Sequence, residues 1–205
     1  MVAGADLPLF PLPLVALPGE LVPLHVFEER YKAMVAHCLE HESEFGIVWA
    51  ADDGLRPIGC ACAIAEILER FPDGRVNLVA RGTRPFRIER RREDRPFPTA
   101  SVEFLDDAPE PGHEELAAEV RRVYGQLVEK ATDRPADAGA VAAMGAYEMA
   151  ATVDFGLDAK QGLLDLRSER ARLQLCLRLF RAALKRLSFA DRVAERARSN
   201  GKVRF

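Results

Sequence analysis

Apolar and polar residues follow two different periods along the chain, and the change between them falls near its middle. The opening stretch, Leu7-Pro8-Leu9-Phe10-Pro11-Leu12 followed by Leu17-Pro18-Gly19-Glu20-Leu21-Val22-Pro23-Leu24, sets prolines among large apolar residues. Proline has no backbone donor and a fixed φ, so this stretch reads as short extended pieces separated by turns. Phe27-Glu28-Glu29-Arg30-Tyr31 then opens an amphipathic helix expected over residues 28–40. Residues 44–50 form a short apolar run. Residues 58–68 carry small or apolar side chains at both parities, as a central strand would. Pro72-Asp73-Gly74 is a turn signal, and residues 75–81 beyond it alternate cleanly, with Val76, Leu78 and Ala80 on one side; the two runs predict a hairpin. Phe86 and Ile88 alternate with Arg87 and Glu89, and Val102 with Phe104 marks one more strand.

Asp106-Asp107-Ala108-Pro109-Glu110-Pro111-Gly112 is acidic, rich in breakers and without apolar period. A domain boundary is expected there, dividing the chain into a β-rich part, 1–111, and a helical part, 112–205. In the second part Leu116, Val120, Val123, Leu127 and Ala131 recur at helical spacing, 138–153 reads as one Ala-rich helix and 157–164 as a short one. A long helix is expected over 165–187, with Leu173, Leu177, Phe180, Leu184 and Leu187 on one face, and a separate charged helix over 189–198. The fold class is therefore α+β.

Composition narrows the function classes. With 205 residues, 48% of them hydrophobic and 30% charged, the chain matches an ordinary soluble globular protein. Its uncharged N-terminal stretch, 7–19, holds four prolines and is too short to span a bilayer, so no membrane association is expected. Asp6 sits where a secretory signal would carry positive charge. Cys38, Cys60, Cys62 and Cys176 are too scattered for a disulfide framework, which leaves the cytoplasm as the expected compartment. A formal charge of −3 hides an asymmetry: from Leu166 onward ten arginines and two lysines face only Glu169, Asp191 and Glu195. That end is suited to an acidic partner or to internal pairing.

The opening order of prolines, Pro-Gly and Phe-Glu-x-Arg-Tyr closely resembles the N-terminal substrate-binding domain of Lon proteases, in the stand-alone form found in bacteria. Phe45-Gly46-Ile47-Val48, Ile58-Gly59-Cys60-Ala61, Asp73-Gly74-Arg75 and Gly82-Thr83-Arg84-Pro85-Phe86-Arg87-Ile88 continue the resemblance in the same order. Lys160-Gln161-Gly162-Leu163-Leu164 and Arg172-Leu173 extend it into the helical half. The resemblance implies a PUA-like β pseudo-barrel followed by a C-terminal helical bundle, and a role in binding unfolded or exposed polypeptide segments, with a protease or chaperone acting in trans. Phe27, Glu28, Arg30 and Tyr31 of the family-like segment, with Arg81 and Arg84 at the hairpin exit, are the candidate binding residues. A structural role is open to the same polar groups, since a carboxylate at a helix start is favoured by the dipole and Arg30 can pair with it. Arg84-Pro85-Phe86 departs from the family pattern by one proline, which is expected to loosen that strand locally. The full protease continues into ATPase and Ser-Lys peptidase modules, whereas this sequence stops at Phe205. Its one Gly-Lys pair, Gly201-Lys202, is followed by Val203, so no phosphate cradle is expected.

Other chemistries find weaker support. His37, Cys38 and His41 with Cys60 and Cys62 have zinc-ligand chemistry, but Cys60-Ala61-Cys62 is not a structural-zinc spacing and small thiols are common in cores, so no metal or cofactor is expected. Arg84, Arg87, Arg90, Arg91, Arg92 and Arg95 form a basic cluster, and PUA-like barrels include RNA binders. Glu89, Glu93 and Asp94 interrupt it, stacking aromatics are missing, and a solvated strand edge is the simpler reading. None of the five serines, Ser43, Ser101, Ser168, Ser188 and Ser199, sits in a nucleophile motif, so no catalytic residue is expected. The sequence therefore reads as a non-catalytic polypeptide-binding or adaptor protein, with RNA binding as the alternative.

Overall fold

The computed structural model describes the backbone of residues 5–200 and the side chains of residues 6–190. Seven strands and six helices follow in order: β1 Ala5–Leu12, β2 Leu21–Val26, α1 Glu29–Glu40, β3 Phe45–Ala51, β4 Gly54–Leu55, β5 Ile58–Arg70, β6 Val76–Arg92, β7 Thr99–Phe104, α2 Glu114–Thr132, α3 Ala138–Ala143, α4 Ala146–Ala151, α5 Leu157–Asp165 and α6 Glu169–Asn200. They fall into two compact units. One comprises residues up to Ala108 together with Ala150–Arg167, the other Pro109–Met149 together with the chain from Ser168.

In the first unit β1 pairs antiparallel with β7, β7 with β6, β6 with β5 and β5 with β3, and β3 returns to β1 in parallel, so the five strands close into a ring. This is the PUA-like pseudo-barrel. Each ring strand contributes to one apolar cluster of Leu7, Leu9, Val48, Ala61, Phe86, Ala100 and Val102. Phe86 is fully buried at its centre. A Cβ on Gly46 would lie 2.5 Å from the tip of that ring, and one on Gly59 would lie 2.7 Å from it. Two glycines on neighbouring strands thus clear the space for one aromatic side chain.

The Pro72-Asp73-Gly74 turn joins β5 and β6 as the alternation predicts, with Gly74 at φ 83°. β6 is longer than expected: the runs on either side of Gly82 form one strand of 17 residues. Pro85 does not interrupt it. The β5–β6 register shift nearest to it falls between Ala61 and Cys62, where the Thr83 hydroxyl donates to the Ala61 carbonyl at 3.0 Å, and the Pro85 carbonyl accepts from Leu105 N–H. The strand absorbs its irregularity at bulges on either side of Pro85 and keeps Phe86 buried.

Two helical expectations change. Residues 138–153 are not one helix: the chain turns extended at Met144, and α4 restarts with Gly145 N–H donating to Glu148 Oε2 at 2.5 Å and Ala146 N–H to Glu169 Oε1 at 2.8 Å. Two carboxylates take the donors at that start, and Arg121 Nε holds the Met144 carbonyl at 3.0 Å. Conversely, the long helix and the charged one beyond it are a single α6 of 32 residues, because nothing at Ser188 breaks the backbone ladder. Leu173, Leu177 and Phe180 of its expected stripe are buried, with Phe180 against Tyr124 of α2 at 5.4 Å, and Leu184 and Leu187 are half-buried. The basic side chains from Arg192 onward lie outside the described residues.

Where sequence pattern runs 112–205 together, the structure groups α5 with the sheet. Gln161 Nε2 donates to the Ile58 carbonyl at 3.1 Å, and Arg167 Nη1 to the Leu105 carbonyl at 3.0 Å.

Replacing Gly46 by alanine is expected to cost about 2 kcal/mol of stability in urea unfolding, because the fully buried Phe86 ring has nowhere to retreat. Combined with Phe86→Leu, the loss should be smaller than the sum of the two single losses; strict additivity would show that the glycine does not serve the ring.

Candidate functional site

Among the described residues β2 pairs only with β6, and it lies off the ring. Its alternation is regular: Val22, Leu24 and Val26 are buried, while Leu21, Pro23 and His25 face outward. Leu21 is 54% exposed and Phe27, the next outward residue, 58%. Across the pair, Leu21 stands opposite Arg81, Pro23 opposite Val79 and His25 opposite Asn77. Gly82 N–H bonds the Glu20 carbonyl, so ladder alternation points the backbone groups of residues 21, 23 and 25 away from β6. Proline at position 23 removes one of those outward donors, which blunts the edge against indiscriminate pairing.

A polar chain orients this face. Asn77 Nδ2 donates to Glu69 Oε2 at 3.1 Å, which fixes the amide so that its Oδ1 accepts from His25 Nδ1 at 2.6 Å. The imidazole then stacks on Phe27 at 5.8 Å and meets the edge of Phe71 at 6.3 Å. The Arg75 guanidinium covers Phe71 at 4.9 Å and pairs with Asp73 at 2.7 Å. The result is an exposed strip of Leu21, Pro23, His25 and Phe27, with charged groups along its border.

The sequence-derived candidates are distributed unevenly around it. Phe27 lies in the strip and Arg81 borders it beside Leu21. Glu28 precedes α1, its carbonyl accepts from Tyr31 N–H and Lys32 N–H, and its carboxylate pairs with Arg30 at 2.8 Å. Arg30 lies 4.5 Å over the Tyr31 ring, and Tyr31 is buried against Phe10 at 4.3 Å, where burial pushes its phenol above the usual range. Arg84 stands apart from the strip: it lies 3.6 Å over Phe104 and pairs with Glu44 at 3.3 Å. Leu21, Pro23 and His25 were not among the candidates. Their signal was in the sequence, as the alternation Leu21-Val22-Pro23-Leu24-His25-Val26-Phe27, hidden behind a proline that reads first as a strand breaker.

The strip is held from behind by a turn. Gly19 adopts φ 81°, Glu20 N–H returns to the Leu17 carbonyl, and Leu17 N–H donates to Glu20 Oε2 at 2.9 Å. Glu20 Oε1 receives Lys160 Nζ of α5 at 2.5 Å, and both side chains are largely buried. Pro-Gly-Glu and Lys-Gln-Gly-Leu-Leu, 140 residues apart, thus meet in one ion pair.

The remaining candidate chemistries dissolve into structure. Cys60 and Cys62 are buried in β5 and Cys38 in α1, all as free thiols. Burial pushes the Cys60 thiol well up, and burial with the nearby Glu169 carboxylate pushes that of Cys176 up to about 12. Among the described residues no three His, Cys, Asp or Glu side chains converge as metal ligands. In the arginine cluster, Arg87 pairs with Glu103 at 3.2 Å, Arg92 with Asp6 at 2.9 Å and Arg84 with Glu44, which leaves less free charge for a phosphate backbone than the sequence implies. No described helix is long and apolar enough to cross a membrane.

Residues 6–182 match the family model described as the ATP-dependent protease La (LON) substrate-binding domain. The structure resembles the crystal structure of a Lon N-terminal domain protein from Xanthomonas campestris, with a TM-score of 0.62 and 30% identity over 84% of this chain and 97% of that one. The N-terminal domain of a Mycobacterium avium complex Lon protease shares the fold at a TM-score of 0.67 and 19% identity, over 86% of this chain and 98% of that one. The Lon protease of Flavobacterium johnsoniae is 22% identical over 94% of this chain, which spans 26% of that protease.

Lys160→Met is expected to cost about 2 kcal/mol in urea unfolding, because it strands the Glu20 carboxylate in a largely buried site. Adding Glu20→Gln should recover part of that loss; no recovery would mean that the lysine contributes by packing alone.

Proposed function

Since the chain belongs to the family of Lon substrate-binding domains, we propose that it is a non-catalytic polypeptide-binding protein that captures exposed apolar segments of unfolded chains on the outer face of β2. The observation that carries this reading is the exposure of Leu21 and Phe27 on an edge strand whose other outward residues, Pro23 and His25, extend the same strip. Large apolar side chains held outward by a regular strand mark interaction surfaces. An extended guest laid along β2 meets apolar side chains, which tolerate many sequences, and the outward backbone groups of residues 21, 23 and 25, which read only an extended backbone. Arg81 and the Glu28–Arg30 pair border the strip and would select among flanking charges. Affinity is modest in this scheme, because a disordered guest loses conformational entropy on binding. The bound chain is passed on unaltered, in the cytoplasm, to a protease or chaperone acting in trans. RNA binding has less support, since three of the six arginines of β6, Arg84, Arg87 and Arg92, are paired with acids.

The test is fluorescence anisotropy with a labelled, permanently unfolded protein such as reduced and carboxymethylated α-lactalbumin. Leu21→Ser combined with Phe27→Ser should weaken binding about tenfold, as expected for losing two apolar anchors, and leave the melting temperature unchanged. Equal affinity of the double variant and the parent would place recognition elsewhere.

A further inference from the structure

We propose that His37 and Arg95 form a pH-operated latch, which fastens the Glu93–Phe97 segment between β6 and β7 to α1 and releases it when the imidazole takes up a proton. Arg95 Nη1 lies 3.1 Å from His37 Nε2. A guanidinium only donates, so this contact exists only while Nε2 carries a lone pair, with the ring proton on Nδ1. Protonation turns the acceptor into a second donor and sets two cations against each other. Charging the ring therefore removes the hydrogen bond of the latch and replaces it with a screened repulsion.

The surroundings disfavour the charged form. One turn along α1, His41 packs its ring against His37 at 4.2 Å and is oriented by Nδ1 donating to the His37 carbonyl at 2.9 Å. Phe97 also packs against the His37 ring, at 5.4 Å, and is itself buried. Partial burial, His41 and Arg95 lower the pKa of His37, and Glu40 opposes them. His37 shares a small cavity of about 70 Å³ with Asp6, Asp94 and Arg92. Both acids are engaged elsewhere, Asp6 with Arg92 at 2.9 Å and Asp94 with the Thr99 hydroxyl at 3.4 Å.

The ends of the segment are tied independently of the latch. Arg92 pairs with Thr99 across the two strands, and the Pro98 carbonyl accepts from Leu9 N–H at 2.8 Å. Opening is thereby confined to residues 93–97 and frees Phe97 from its seat beside His37, while the ring of strands stays closed. A histidine with a depressed pKa favours the closed form fully above the ordinary histidine value and loses that preference as pH falls through the depressed one. Between those two values opening rises by up to about tenfold per pH unit, and below them it levels off.

Side-chain and amide NMR of the full chain from pH 8 to pH 5 tests the latch. His37 should titrate below an ordinary histidine. The amides of Glu93, Asp94, Arg95 and Phe97 should shift with its midpoint, and their hydrogen exchange, corrected for intrinsic pH dependence, should rise over the same interval. His37→Gln, which offers Arg95 an amide oxygen at every pH, should keep the segment closed throughout; Arg95→Met should open it throughout and raise the His37 midpoint. His41→Asn should raise the His37 midpoint, and the segment's midpoint should follow. A segment that responds to pH unchanged in His37→Gln, or a His37 that titrates without the segment, would overturn the proposal.

Discussion

The fold of the first unit depends on a single packing constraint: one phenyl ring must occupy the axis of a five-stranded ring. Phe86 is fully buried, and the strands around it can approach only because Gly46 and Gly59 present no side chain toward it. Ring closure by the parallel pairing of β1 with β3 is possible at that spacing. A larger residue at either glycine would hold the strands apart, and a smaller one at Phe86 would leave a void that neither could collapse to fill. The family-like fragments Phe45-Gly46-Ile47, Ile58-Gly59-Cys60 and Pro85-Phe86-Arg87 are in this sense one feature written in three places.

A second tie explains why distant segments of sequence act together. The Pro18-Gly19 turn orients Glu20, Glu20 holds Lys160, and Gln161 beside it bonds the Ile58 carbonyl. α5 is therefore fastened to the sheet unit through polar side chains, and its Leu163 and Leu164 are buried. The same turn fixes where β2 begins, and with it the phase of its alternation: Val22, Leu24 and Val26 inward, Leu21, Pro23 and His25 outward. A shift of one residue would reverse every one of those assignments.

Local chemistry made much of this readable in advance. The β5–β6 hairpin was legible because Pro72-Asp73-Gly74 requires a turn and Val76, Leu78 and Ala80 alternate beyond it; α1 and α2 were legible from apolar spacing. What escaped was set by tertiary partners. The break between α3 and α4 depends on Glu169 and Arg121, which sequence spacing cannot bring near Met144 and Gly145. The grouping of α5 with the sheet depends on Glu20 and Ile58. In the candidate site, Phe27 was legible as part of the family-like segment, whereas the polar chain that orients His25 depends on Asn77 and Glu69, which lie far along the sequence on β6 and β5. Tyr31, alike in sequence to its polar neighbours, is a core residue because Phe10 lies beneath it.

The continuity of α6 has a mechanical meaning within its own unit. At about 1.5 Å per residue its 32 residues make a rod of roughly 48 Å, against roughly 29 Å for the 19 residues of α2. A rod without a joint at Ser188 cannot bend there to dissipate a pull. A pull on its distal end is carried along one continuous backbone toward the buried part of the helix, where Leu184 and Leu187 and then Phe180 against Tyr124 resist it.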